Sequence, residues 1–260
     1  MSKNTVTKNE NGMLHNKLSF AATEAYKLLR TNLMFTLPDE QKCRVVGITS
    51  SLRGEGKSTT AINLSYTLAE TGKKVLLIDA DLRLPSVAKK IEIKSTPGLS
   101  NIIAGNADIK DSVRESGKLD SWYILPSGDV PPNPTEMLGS AQMKKIIEEL
   151  REQYDFIVVD LPPVNIVSDA VVISPLLDGM LVVVRENYSE RRELSQCIKQ
   201  LELSSVKVLG FVMNQSNSDD TLYGRYKRSR YYKKLYKNKH SGYYKKSDYG
   251  YSYSEGKKNK

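Results

Sequence analysis

Short, almost continuous apolar runs alternate with amphipathic stretches along most of this chain. RVVGITS (44–50), KVLLIDA (74–80), WYILPSG (122–128), FIVVD (156–160), GMLVVVRE (179–186) and KVLGFVMN (207–214) read as strands. Between them, apolar residues recur at helical spacing over 57–70, 135–152, 168–177 and 189–202. A further helix is predicted over 19–37, with Ser19 as its cap, Leu29, Leu33 and Leu37 on its apolar face, and Pro38 as its stop. Strands this uniformly apolar are buried on both faces. They predict an α/β fold with a mostly parallel central sheet and helices on both faces. The periodicity ends after Asn214. Residues 1–17 are expected to be a mobile arm, 18–214 the folded domain and 215–260 a disordered tail.

Composition changes this picture at one end. The net charge is +9 over 260 residues. From Thr221 onward, thirteen Lys and Arg face only Asp248 and Glu255, a net of +11. The other 220 residues hold 26 basic and 28 acidic side chains, a net of −2. A near-neutral body with a basic end marks an interaction tail, not a basic enzyme. Ten of the fifteen tyrosines also lie there. The two cysteines, Cys43 and Cys197, are too few for a disulfide framework and read as buried free thiols in a reducing cytoplasm. The polar start lacks an apolar signal-peptide core, and Asp160, Asp169 and Asp178 interrupt the most apolar region. A secreted or membrane-spanning chain is therefore not expected.

Candidate chemistry begins at SLRGEGKSTT, between the first strand and the first long helix. It fits G-x-x-x-x-G-K-[ST], except that Ser51 stands at the first glycine position. Small residues let backbone N–H groups wrap a phosphate chain, and the helix N-terminus adds positive potential. Gly54, Glu55, Gly56, Lys57, Ser58 and Thr59 are therefore assigned to nucleotide, which places the fold among P-loop NTPase-like proteins. Lys57 would reach the terminal phosphates, and the Ser58 hydroxyl would ligate Mg²⁺. FIVVD ends in Asp160, and LLIDADLR ends a second strand with Asp79, Asp81 and Arg83. Period two predicts that these last three share one side of an extended segment. Asp79 and Asp160 are the further candidate metal ligands, since Mg²⁺ prefers oxygen donors.

A P-loop, an apolar strand ending D-x-D-x-R and a later strand ending D-x-P-P resemble the bacterial tyrosine kinases, the BY-kinases encoded with capsule and exopolysaccharide genes. The likeness spans about 18–214. It includes EAYKLLRTNL (24–33), PGLSNIIAG (97–105), PSGDVPPNPTEMLGS (126–140) and DLPPVNIVSDA (160–170), and the tyrosine-rich tail completes it. The resemblance implies an ATP- and Mg²⁺-dependent protein-tyrosine kinase of the split, cytoplasmic form, held at the inner face of the membrane by a membrane-embedded activator of the polysaccharide co-polymerase type. Polysaccharide-synthesis enzymes would be its other substrates, and a phosphotyrosine phosphatase would oppose it. Lys57, Asp79, Asp81 and Arg83 become the catalytic candidates. Asp79 or Asp81 would accept the phenolic proton, and Arg83 would neutralise phosphate charge or hold Asp81. By analogy with relatives of this fold, Asn214 would contact adenine. A family motif E-x-x-R-x-x-R joins subunits into a ring. Here it reads Glu24, Lys27 and Arg30, and Lys27 cannot make the two-bond fork of an arginine, so a weaker ring is expected.

Two rivals remain. Partition and division-site ATPases of the ParA and MinD kind share the fold, but usually carry a lysine five residues before the invariant one. Leu52 stands there. A nucleotide-gated binding module could instead use the tail on membranes or on nucleic acid, the latter the less expected partner. The kinase reading accounts best for Tyr223, Tyr226, Tyr231, Tyr232, Tyr236, Tyr243, Tyr244, Tyr249, Tyr251 and Tyr253, which become candidate autophosphorylation sites. A flexible segment of this length reaches roughly 40 Å. Each phosphate adds about −1.5 to −2 charges, so six or seven would cancel the tail's basicity.

Overall fold

The computed structural model describes residues 18–37, 42–204 and 206–216. The arm predicted over 1–17, and all the candidate tail tyrosines, lie outside the described residues. The elements are α1 (Phe20–Thr36), β1 (Arg44–Ser50), α2 (Lys57–Ala69), β2 (Val75–Asp79), α3 (Val87–Ile91), α4 (Leu99–Ile103), α5 (Ile109–Ser112), β3 (Arg114–Glu115), β4 (Trp122–Leu125), α6 (Pro134–Leu138), α7 (Ala141–Arg151), β5 (Phe156–Asp160), α8 (Asp169–Ile173), β6 (Gly179–Arg185), α9 (Arg191–Leu203) and β7 (Val208–Asn214).

The strands form one seven-stranded sheet in the order β3-β4-β2-β5-β1-β6-β7. Its pairings are parallel except at the short edge pair β3–β4. Side chains alternate across a strand, so each strand feeds two cores. Val45, Ile78, Val159 and Val182 face one layer, with Ile147 and Leu150 of α7, Ile173 of α8 and Leu201 of α9. Val46, Leu77, Val158 and Val183 face the other, with Ile62 and Leu68 of α2 and Leu33 of α1. Burial on both faces is why the strands read as continuous apolar runs.

α2 is buried on nearly every side, and α1 packs against it. Its interior hydroxyls therefore need partners inside the protein. Thr67 Oγ1 donates to the Asn63 carbonyl at 2.7 Å, and Ser65 Oγ donates to Ile62 at 3.0 Å while accepting from Trp122 Nε1 at 3.0 Å.

Several predicted boundaries move. The helix expected over 135–152 is two helices. Gly139 closes α6, where an added Cβ would lie 2.7 Å from Val172 Cγ1, and Ser140 caps α7 by accepting from Met143 N–H at 3.1 Å. The strand expected to 128 stops at Leu125, before Pro126, which has no N–H for a ladder. The helix expected over 168–177 ends at Ile173 and passes into a 3-10 turn, Ser174–Leu176, containing Pro175. Helices α3, α4 and α5 lie in segments the periodicity left unassigned, because four or five residues are too few to show a period.

Candidate active site at the carboxyl ends of β1, β2 and β5

In an open parallel sheet, ligands bind beyond the carboxyl ends of the strands, where neighbouring connections diverge. Here β1 lies between β5 and β6, and its carboxyl end leads into loop 51–56 and α2. Gly54 and Gly56 take φ of +81° and +102°. Gly56 caps α2, and a Cβ there would lie 2.0 Å from Asn214 Nδ2, so both backbone and space demand glycine.

The departure at Ser51 now has a reason. Its hydroxyl donates to the Glu55 carboxylate, 2.8 and 3.0 Å from the two oxygens. The same carboxylate accepts from Leu52 N–H at 2.8 Å and from the Ser189 hydroxyl. Glu55, fully buried, braces the loop from within. Its side chain is thereby committed to the loop, which leaves only its backbone for the nucleotide contact expected of it. Asn214, expected at the adenine, donates Nδ2 to the Glu55 carbonyl at 2.9 Å and accepts on Oδ1 from Gln215 N–H at 2.9 Å. It ties β7 to the loop. Ser189 lies 134 residues from Glu55, and no local sequence signal announces it.

Parallel pairing sets Asp79 of β2 directly beside Asp160 of β5. Lys57, at the start of α2, points its amine at this pair and at Asp81. Nζ lies 2.8 Å from Asp81 Oδ2, 3.6 Å from Asp160 Oδ1 and 3.4 Å from Ser58 Oγ. The two strand-end carboxylates differ in their partners. Asp79 Oδ2 accepts from Ser86 and Val87 N–H at 3.1 and 3.0 Å, and Oδ1 accepts from Asp81 N–H at 3.3 Å. Asp79 thereby anchors the entry to α3. Neither oxygen of Asp160 has a hydrogen-bond partner, although the residue is fully buried.

Burial, reinforced by the Asp160 charge, pushes Asp79 up to about 7. Burial likewise raises Asp160, against the pull of Lys57. For Lys57, burial pulls downward, but the Asp160, Asp81 and Asp79 carboxylates outweigh it and hold the ammonium charged. A cation bound among these three acids would favour their ionised forms.

Among the described residues, no group of three or more His, Cys, Asp or Glu could hold a metal by itself. Mg²⁺ shared with phosphate oxygens needs only one or two carboxylates. The Asp160 oxygens, which accept no hydrogen bond, and the Ser58 hydroxyl in the first turn of α2 fit that requirement.

Arg83 departs from its expected position. β2 ends at Asp79, and the chain bends at Arg83. The guanidinium forks onto Asp169 of α8, at 2.9 Å from Nε and 3.1 Å from Nη2, and Nη2 also donates to Thr135 of α6 at 2.8 Å. Thr135 in turn donates to Asp169 at 2.6 Å. Arg83 therefore ties the carboxylate segment to two helices instead of bonding Asp81.

The candidate assembly residues divide as well. Steps of three along a helix rotate by about 60°, so Glu24, Lys27 and Arg30 fan across α1. Glu24 and Lys27 pair with each other at 2.9 Å, whereas Arg30 turns inward to the Thr67 carbonyl of α2 at 2.8 Å.

The AAA domain family matches residues 43–211. A tyrosine-protein kinase CpsD of Streptococcus agalactiae is 37% identical over 204 residues, 78% of this chain and 87% of its own. Tyrosine-protein kinase YwqD of Bacillus subtilis is 38% identical over 207 residues, covering 78% and 86% of the two chains. The chain belongs to the bacterial tyrosine-protein kinases. Among solved structures, this kinase aligns with the kinase domain of the Escherichia coli tyrosine kinase ETK at TM-score 0.70 and 30% identity, over 75% of this chain and 77% of that one. The septum site-determining protein MinD of Pyrococcus horikoshii, complexed with Mg-ADP, is more distant: TM-score 0.58 and 26% identity over 68% and 72%. The P-loop NTPase-like fold is thus shared with the division ATPases, and the closer likeness is to kinases.

Proposed function

We propose that this kinase transfers the γ-phosphoryl group of ATP to tyrosine hydroxyls, its own C-terminal cluster first, and so regulates capsular or exopolysaccharide synthesis or export. The observation that carries this reading is the Lys57 amine, held between Asp81 and Asp160 at the mouth of a glycine-bearing loop. Phosphoryl transfer of this kind needs positioning and charge neutralisation more than covalent chemistry. Loop amides and the first turn of α2 would hold the phosphates, and Lys57 would leave Asp81 to meet the terminal ones. That move frees Asp81 Oδ2. The Asp79 oxygens are already committed to backbone N–H groups, so Asp81 is the better acceptor for the phenolic proton. The tyrosine oxygen bonds to the γ-phosphorus, the bond to the β–γ bridging oxygen breaks, and ADP leaves. Mg²⁺, held by Ser58 and Asp160 with Asp79 behind them, would supply neutralisation of phosphate charge. Arg83 positions the segment through Asp169.

Partners follow from the same reading. A membrane-embedded activator would bring the kinase to the inner face of the membrane. Among the described residues, no helix is long and apolar enough to cross a bilayer. Neighbouring subunits would recruit Glu24 and Lys27, and Arg30 would have to leave the Thr67 carbonyl to join them. Substrate enzymes of polysaccharide synthesis and an opposing phosphatase complete the set. The test is a phosphotyrosine blot after incubation with Mg-ATP, comparing the wild type with Lys57→Met. Labelling should vanish while circular dichroism stays unchanged. Undiminished labelling in Lys57→Met overturns the proposal, and phosphate release without labelled tyrosine would favour a partition-type ATPase.

A further inference from the structure

Five tyrosines fall among the described residues. Tyr66 and Tyr154 are buried, and Tyr26 and Tyr123 are half-buried. Tyr188 is different: it is 46% exposed, in the turn between β6 and α9. That turn and the last residue of β6 grip the phosphate-binding loop at three points. Tyr188 donates its hydroxyl to the Arg53 carbonyl at 3.0 Å, Arg185 Nη1 donates to the Gly54 carbonyl at 3.2 Å, and the Ser189 hydroxyl donates to Glu55. The Arg185 guanidinium also lies over the Tyr188 ring, 4.8 Å from its centroid. An accessible substrate side chain of the enzyme's own reaction is thus built into the wall of its own nucleotide loop.

We propose that Tyr188 is a phosphoacceptor through which the kinase weakens its own hold on nucleotide. This rests on the tyrosine-kinase activity proposed above. Arg53 and Gly54 are exposed, so the Tyr188 hydroxyl sits on the open side of its loop and is served by ATP bound to a second copy. The phenolic oxygen takes the γ-phosphoryl group, the γ-phosphorus parts from the β–γ oxygen, ADP leaves, and the phenolic proton passes to the acceptor carboxylate of that copy.

The consequence is electrostatic and local. A phosphorylated Tyr188 has no proton left to donate to the Arg53 carbonyl, and it places about −1.5 to −2 charges beside that oxygen. A dianion on the ring that Arg185 covers is a stronger acceptor than the Gly54 carbonyl, so Arg185 shifts to the phosphate. Both loop carbonyls lose their donors together, and negative charge arrives beside the site of a polyanionic ligand. Modification therefore loosens the loop and repels ATP, a brake on further transfer.

The experiment uses the full chain. Peptide mass spectrometry after incubation with Mg-ATP locates phosphate, and calorimetric titration with Mg-ADP is run before incubation, after it, and after phosphatase treatment. Tyr188→Phe goes through the same steps. Phosphate on Tyr188, a dissociation constant raised roughly tenfold or more, reversal by phosphatase and no such change in Tyr188→Phe are expected. Phosphate on the tail with none at Tyr188, or the same loss of affinity in Tyr188→Phe, overturns the inference alone. No phosphate on either removes the kinase reading and this inference together.

Discussion

Asp160 should be a residue that the kinase carries at a cost to its own stability. Its carboxylate is fully buried, and neither oxygen finds a hydrogen-bond donor. Lys57 is 3.6 Å away but lies closer to Asp81, at 2.8 Å, and Asp79 stands beside Asp160 in register. A buried polar group without a partner costs about 1–3 kcal/mol, and more if charged. Asp160→Asn keeps the shape and removes the charge. The raised pKa gives the sign, because the ionised form is the disfavoured one in the folded protein. Without nucleotide, the variant should therefore be more stable by about 1–3 kcal/mol, an upward shift of roughly 2–12 °C in Tm for a domain of this size. With nucleotide and Mg²⁺ the variant's lead should shrink. Ligand at a hundred times its dissociation constant stabilises by about 2.7 kcal/mol, and the Mg²⁺-dependent part of that gain should disappear in Asp160→Asn. Thermal melts with and without ADP, each with Mg²⁺ or a chelator, measure all four quantities. A variant that melts below the wild type in the absence of nucleotide, or that keeps the full Mg²⁺ increment, would refute the argument.

Two more outcomes follow from the same geometry. Asp169→Ala strands the Arg83 guanidinium and the Thr135 hydroxyl; because Arg83 is about one-third exposed, the loss should be about 1–3 kcal/mol, less than for a fully buried pair, and should appear as a lower Tm with slower autophosphorylation. Burial pushes the Cys43 and Cys197 thiols up to about 12. At pH 8 only about 10⁻⁴ of either is thiolate, so iodoacetamide should label neither until the protein unfolds. With folded pKa values above the unfolded ones, these thiols should also make stability fall as pH rises from about 9 towards 12, which alkaline denaturation curves would show.

β1 and β5 match their predicted spans because a strand buried on both faces is apolar along most of its length, and that requirement is written locally. Loop 51–56 was legible for a similar reason. Gly54, Gly56, Lys57 and Ser58 all fall in one short segment, so the phosphate-binding pattern can be read locally. The division at Gly139–Ser140 had a local signal, a glycine followed by a cap residue, but the amphipathic period ran through it and concealed it.

The sequence by itself determined the six apolar strands but not the two-residue edge strand β3, and it marked where a phosphate chain would be wrapped and which acids end the strands beside it. Only the tertiary structure decided what each polar side chain does there. Arg83 meets Asp169 across 86 residues, Asn214 meets the loop across 159, and Arg30 meets Thr67 across 37. Periodicity reports which face of an element is buried. It carries no information about which distant partner arrives on that face, because that depends on strand order and register. The lack of a hydrogen-bond donor at Asp160 is of the same kind, since it is set by everything that packs around the carboxylate.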